Sequence, residues 1–237
     1  LSTSNTRSSK LKALQLIRRG IKPDCLFLDL PRNSEDIVRQ IPRVGKHEAL
    51  RRMREQGILS DPHDTQDYRA AAPLLDALGS LDVRVYCFTD PFHQTVSREV
   101  ASKIAVLTMR AKLGRIDVEE WRDVMMDEIF SSHRSSWDEA EYIFTRAEDT
   151  NVCIDASVDV EKNLTEMGAE VRRVWVDVVS RPLDKLRELL RAELVRGEQA
   201  PKDELIKLIR EHVEFVDLVI LHGYERAVEL WKSRCHL

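Results

Sequence analysis

The stretch KPDCLFLD, residues 22–29, decides the fold. Lys22-Pro23-Asp24 breaks any helix before it, and Cys25, Leu26, Phe27 and Leu28 then form an unbroken apolar run that stops at Asp29. A run this short, apolar on both faces and set between helical patterns, is the signature of a strand covered on both sides in a parallel sheet. Four more runs have the same form. Residues 85–90 (VYCFTD) end in Asp90, 152–155 (VCID) in Asp155, 174–177 (VWVD) in Asp177 and 219–222 (VILH) in His222. Ligands of open parallel sheets bind outside the carboxyl ends of the strands, so four acids and a histidine become candidates for one sheet edge.

Working outward, residues 9–19 carry Leu11, Leu14, Leu16 and Ile17 on a helical stripe, with Gly20 as a stop, which makes a βαβ unit with the strand at Cys25. Residues 43–56 read as a basic helix ended by Gly57, and residues 68–78 as another before the strand at 83–88. Between Pro91 and Glu148 there is no strand pattern. Three helices fit there: about 92–113, about 118–132 opened by Asp117 with Glu120 three residues on, and about 137–148 opened by Ser136 with Glu139 three on, both at capping-box spacing. Residues 152–177 repeat the βαβ pattern, Pro182 and Pro201 open two helices ending near Arg196 and Phe215, and residues 224–232 form a last one. The expected fold is α/β, a mainly parallel central sheet flanked by helices. It forms a single domain over residues 1–237 with a helical insertion at about 91–150.

Composition narrows the function classes. The 37 basic and 41 acidic residues leave a net charge of −4, which disfavours a surface built to neutralise nucleic-acid phosphates. The basic run 43–54 (Arg43, Lys46, Arg51, Arg52, Arg54) reads as a solvated helix face before it reads as a phosphate patch. Cys25, Cys87 and Cys153 lie in apolar runs as buried free thiols do, and Cys235 near the end reads as an incidental exposed thiol. No apolar run approaches the roughly 18 residues needed to span a bilayer, and the start lacks the apolar core of a signal peptide. The expectation is a cytoplasmic protein without a membrane segment. The chain begins at Leu1, and its first residues read as the tail of a strand.

Local motifs have two readings each. Asp90 before Pro91 is a good N-cap as well as a strand-end ligand. Asp29 has no cap duty, because the next helix starts at Ser34, and ranks first as ligand or base. Asp155 shares its place with Ser157 as the cap, and Asp177 precedes Val178 and Val179 on a strand side open to solvent. His63 with Asp64, and Asp90 with His93, are local acid and imidazole pairs, too few donors for a metal by themselves. His222 before Gly223 is a ligand, a general base or a satisfied side chain. No Walker-type loop, G-x-G-x-x-G or G-x-S-x-G occurs, and only eight glycines are present.

Four blocks, taken in order over most of residues 1–177, resemble the TraB/PrgY family, related to the Tiki and ChaN-like proteins. Residues 3–9, the helix after them and KPDCLFLDLPRN resemble a G-T-x-H strand end, a helix and a K-P-D-x-V-x-x-E-L strand, with Asn5 in the histidine's place and Asp29 in the glutamate's. Residues 83–98 resemble an apolar strand followed by D-R-P, with Asp90, Pro91, Thr95 and Arg98 matching and the first arginine absent. WDEAEYIF at 137–144 resembles E-R-D-x-Y-[IM], with Glu139, Glu141, Tyr142 and Ile143 in place and Ala140 for the arginine. Residues 151–168 resemble V-V-G-x-G-H and its helix, with Ser157 in place of the second histidine.

The resemblance implies metal-dependent hydrolysis, proteolytic in the Tiki branch, centred on the two histidines that are missing here. Neutral oxygens bind transition metals far less well than imidazole, so it further implies a diverged member with no tight metal. The reading that follows is a TraB-like domain with an eroded metal-hydrolase site, acting as a binding or regulatory protein for an unknown small molecule or protein, and a homodimer through its helical segment. The candidate catalytic residues are Asp29 and His222. The candidate crevice holds Asn5, Asp90, His93, Arg98, Glu139, Asp155 and Ser157. The alternative is a Mg²⁺- or Mn²⁺-dependent hydrolase using Asp29, Asp90 and Asp155, because hard cations prefer oxygen ligands.

Overall fold

A computed structural model of the chain describes residues 1–59 and 62–235, the side chains of residues 62–65 and 235 excepted. The His63 and Asp64 pair and the Cys235 thiol lie outside the described side chains. The fold is α/β, with short parallel strands flanked by helices. Contacts divide the chain into two compact units, residues 1–95 with 133–178 and residues 96–132 with 179–237. The helical segment expected at about 91–150 is therefore shared: residues 96–132 join the C-terminal helices, and 133–150 stay with the strands.

The first unit holds β1 (Ser2–Thr3), β2 (Cys25–Pro31), β3 (Arg84–Thr89), β4 (Asn151–Cys153) and β5 (Trp175–Val176). Two parallel ladders form, β3-β2-β4 and β1-β5. Leu1 joins them, its amino group donating to the Cys153 carbonyl at 2.6 Å and its carbonyl accepting from Asp155 N at 2.8 Å. The strands thus run in the order 3-2-4-1-5. Cys25 pairs with Arg84 on one side and Asn151 on the other, and the β2–β3 register slips between Leu28 and Pro31, around Asp29.

Period-two alternation along β2 sends its side chains into two cores. Leu26, Leu28 and Leu30 pack with Ala13, Leu14 and Ile17 of α1 (Arg7–Leu16) and its terminal turn, with Ile37, Val38 and Ile41 of α2 (Glu35–Val44), with Met53 of α3 (Lys46–Glu55) and with Leu74 of α4 (Pro62–Ala77). Cys25 and Phe27 pack on the opposite face with Val160 and Leu164 of α7 (Val158–Glu166) and with Ala140 and Ile143. Both faces of β2 are covered, as its continuous apolarity required.

The basic run at 43–56 is split by Gly45, whose φ of 82° ends α2 and starts α3. Two of its arginines are matched within the helix: Arg51 pairs with Glu48 at 2.7 Å and with Glu55, and Arg52 with Glu48 at 2.8 Å. That is the solvated-face reading.

Two helices, α5 (Pro91–Lys112) and α6 (Val118–Phe144), begin or end in the strand unit and continue into the second unit. Asp117 caps α6 by accepting from Glu119 N and Glu120 N, both at 3.1 Å. Ser136 opens no helix. It lies inside α6 with its hydroxyl donating to the His133 carbonyl at 2.7 Å and accepting from Asn163 at 3.0 Å. A serine that bonds back to the preceding turn is compatible with a helix interior, so capping-box spacing alone did not mark an end.

The second unit consists of residues 96–132 of these two helices with α8 (Pro182–Arg196), α9 (Lys202–His222) and α10 (Tyr224–Cys235). Its core gathers Leu107, Trp121, Met125, Leu186, Leu190, Leu205 and Ile209. The run 219–222, expected as a strand, is the last turn of α9. No glycine or proline separates it from the helix that starts at Lys202, and the helix carries through to Gly223. Among the described residues no helix is long and apolar enough to cross a membrane.

Candidate functional site

The helices that follow β1 and β2 lie on one face of the sheet, and α7, which follows β4, lies on the other. Because β4 sits between β2 and β1, the chain leaves adjacent strand ends in opposite directions there. That divergence at the carboxyl edge is the general location of ligand sites in this architecture.

Asp155 closes β4 with a left-handed backbone, φ 59°, and Asp177 closes β5 likewise at φ 54°. Left-handed conformations cost a non-glycine residue on the order of 1 kcal/mol or more, least for Asp and Asn, and persist where the surroundings hold them. Here the holding contacts are explicit. The Asp155 carboxylate accepts from Thr3 N at 2.6 Å, from Thr3 Oγ1 at 3.0 Å and from the Lys10 ammonium. The Asp177 carbonyl accepts from Ser4 Oγ at 3.0 Å and Ser9 Oγ at 3.2 Å, and its carboxylate pairs with Lys12 at 2.8 Å. Lys10 is only 6% exposed, so a full positive charge is buried against the strand-end acids.

Asp29 projects from the register slip of β2 and accepts from Thr89 Oγ1 at 2.6 Å. Solvent reaches it, yet enough protein encloses it that desolvation pushes its carboxyl up to about 6. The Thr89 hydrogen bond and Lys10 oppose the rise, and the acids Asp155 and Asp67 reinforce it. Glu139 on α6 is 6% exposed and accepts from Asp90 N at 3.1 Å. Desolvation, with Asp29 and Asp90 adding in the same direction, pushes its carboxyl up to about 8 against the Asp90 hydrogen bond and Arg32. Glu139 is therefore largely protonated at neutral pH, and Asp29 largely ionised.

The structure links the acids in sequence, Asp155 acting on Asp29 and both Asp29 and Asp90 on Glu139, with Asn5 joined through its 2.7 Å hydrogen bond to Asp67, which also acts on Asp29. Asp90 also has the cap role, accepting from Phe92 N at 3.1 Å. Ser157 is the N-cap of α7, accepting from Val160 N at 3.2 Å. His93 sits in the first turn of α5, half-buried. Arg98 and His222 belong to the helical unit, His222 exposed at the end of α9. With its strand gone, the strand-end argument that nominated His222 goes too.

Thr3, Lys10, Asp67 and Thr89 were not among the residues nominated from sequence. One signal was present. Lys10 occupies the same stripe as Ala13, Leu14 and Ile17, at positions i, i+3, i+4 and i+7 of a helix face that is otherwise core, and a lysine there needs a buried counter-charge. Among the described residues, no group of three or more His, Cys, Asp or Glu side chains is arranged to hold a metal ion. No family model, no curated protein and no solved structure matches the chain. The chain comprises an α/β unit with carboxyl side chains at its strand edge and a helical unit.

Proposed function

We propose that the crevice is a ligand-binding site in a TraB-like domain whose metal-hydrolase chemistry has been lost, and that the chain works as a binding or regulatory protein. The observation that carries this reading is Lys10. Its buried ammonium is paired to Asp155 and exerts its field on Asp29, so the strand-end acids already have a cation supplied by the chain. A divalent ion would have to displace it and leave an ammonium buried without a counter-charge, which is costly. The two positions where the resemblance implies histidine are Asn5, bonded to Asp67, and Ser157, occupied as a helix cap. Asp29 remains solvent-accessible and is the group offered to a ligand. The free thiols at Cys25, Cys87 and Cys153 support a reducing, cytoplasmic setting.

A second reading has its own observation. An ionised Asp29 beside a protonated Glu139 is a base and an acid in one crevice, the pairing general acid–base hydrolysis uses, with Mg²⁺ or Mn²⁺ as helper on Asp29, Asp90 and Asp155. Thermal unfolding in EDTA and in Mg²⁺, Mn²⁺ or Zn²⁺ separates the two. A metal at a hundred times its dissociation constant stabilises the native state by about 2.7 kcal/mol. We expect no shift for the native chain, and a shift with Mn²⁺ only after Lys10→Met. A metal that stabilises the native chain and loses its effect in Asp29→Ala establishes the hydrolase reading instead.

A further inference from the structure

The end of α9 is apolar on all sides, which is what made it resemble a buried strand. A helix with that composition is ordinarily covered all round. Here Leu218 and Val219 pack beside Phe215 and Trp231, while Ile220 and Leu221 are 68% and 73% exposed. On α5, Leu107 and Ala111 enter the core of the helical unit. The other side of the same helix presents Val106, Met109 and, just past its end, Leu113, at 52%, 61% and 76% exposure. The spacing 106, 109, 113 is the three-and-four alternation of a helix–helix seam. An ion pair from Lys112 to Asp217 ties the end of α5 to α9, one turn before Leu221. That ion pair sets the exposed end of α9 near the end of the α5 seam within this unit.

We propose that this exposed apolar surface is the interface of a homodimer, with α5 crossing its own copy near Met109. Charge selects the occupant. Three basic residues flanking the α5 seam are neutralised within the unit, Lys103 by Asp127 at 3.3 Å, Arg110 by Glu120 at 2.8 Å and Lys112 by Asp217. Helices that lie on anionic membranes use free lysines and arginines on those flanks, and nucleic acid requires them. A neutral apolar seam is complementary to itself, and a two-fold contact places the same patch on both sides. Size agrees. The exposed fractions amount to on the order of 500 Å² of apolar surface, at the upper end for a monomer's largest patch. That is most of the roughly 800 Å² per partner of a standard interface, the polar rim supplying the rest.

Light scattering and sedimentation equilibrium on a dilution series of the whole chain test this. A concentration-dependent dimer is expected, with association weakened at least tenfold by Met109→Asp. The independent pair Ile220→Ser and Leu221→Ser should weaken it too, with helical circular dichroism and melting temperature retained in each variant. Val195→Asp, at a position 86% exposed elsewhere on the unit, should leave the dimer intact. A chain that stays monomeric up to about 100 μM, where even a weak dimer of that dissociation constant would be populated, overturns the proposal. So does a dimer indifferent to both seam variants, or a monomer that binds phosphatidylcholine–phosphatidylglycerol vesicles through Met109.

Discussion

The polar network at the strand ends and the buried His212 of the helical unit meet burial in opposite ways. In the strand unit Thr6, Ser9, Lys10, Ser34 and Glu139 are all at least nine-tenths buried, and each has a named partner, from the Thr6–Ser9 hydroxyl pair at 2.9 Å to Ser34 on the Pro31 carbonyl at 2.6 Å. In the helical unit His212 is 7% exposed and Trp121 1% exposed. Neither imidazole nitrogen nor the indole N–H has a hydrogen-bond partner among the described residues, and the two rings meet edge to face at 5.8 Å. The difference follows from architecture. Strand ends and the loops after them present many backbone and hydroxyl groups at converging angles. A packed helix has already spent its backbone hydrogen bonds internally, and offers a buried imidazole little but side chains. The strand ends can therefore use polarity to assemble a site, and the unpartnered imidazole of His212 costs the helical unit stability.

The largest expected effect breaks the network of the strand unit. Lys10→Met strands Asp155 as a partly buried acid without its counter-charge and should cost about 3–5 kcal/mol by chemical denaturation, most of it recovered by adding Asp155→Asn. A loss under about 1 kcal/mol would mean that the pair contributes no more than a surface bridge does.

Next comes pH, where the units should respond with opposite sign. Glu139 has a carboxyl at about 8 in the folded chain against an ordinary 4.5. The folded state holds the proton more tightly, so this contribution is complete below pH 4.5 and is lost as pH rises through 8. The loss is on the order of 5 kcal/mol, and Glu139→Gln should abolish it and stabilise the chain at pH 8. Equal destabilisation of that variant at pH 5 and pH 8 would place the residue outside this linkage.

His212 runs the other way. Burial, with Arg181 adding to it and Asp184 opposing, pushes the imidazole down to about 4 from 6.5. Its neutral form contributes stability above pH 6.5 that is lost as pH falls toward 4. His212→Leu should remove that acid limb and, by relieving two unpartnered nitrogens, stabilise the unit by about 1–3 kcal/mol at pH 7. Fluorescence of Trp121 and Trp231, both buried in the helical unit, follows the change there. A destabilised His212→Leu would show that the ring's edge contact with Trp121 outweighs its lost hydrogen bonds.

Legibility from sequence differed between the units for related reasons. The apolar run at Cys25–Leu28 is cut off from the helix before it by Pro23 and Asp24 and so reads as a strand covered on both sides, and an acid ending such a run lies at the carboxyl edge, so Asp29 was readable from a handful of residues. Glu139 came through its place in WDEAEYIF, not through anything its neighbours reveal. The run at 219–222 misled because apolarity on every side describes a buried strand and an apolar helix end alike, and only continuity with Lys202 decides between them. Ser136 misled because a capping residue and a back-bonded serine have the same local sequence.

What the sequence by itself determined is what short-range physics controls: the strand at Cys25, the acids at the strand ends, the caps at Asp90, Asp117 and Ser157, and the prolines that open α8 and α9. Tertiary structure alone decided that Lys10, on the apolar stripe of α1, reaches Asp155, 145 positions away. It also decided that residues 96–132 fold with the C-terminal helices and that Met109 and Leu221 stay uncovered. Each of these depends on which distant segments pack together, and hydrophobic burial, which drives that choice, is non-directional and leaves no mark on the local pattern of residues.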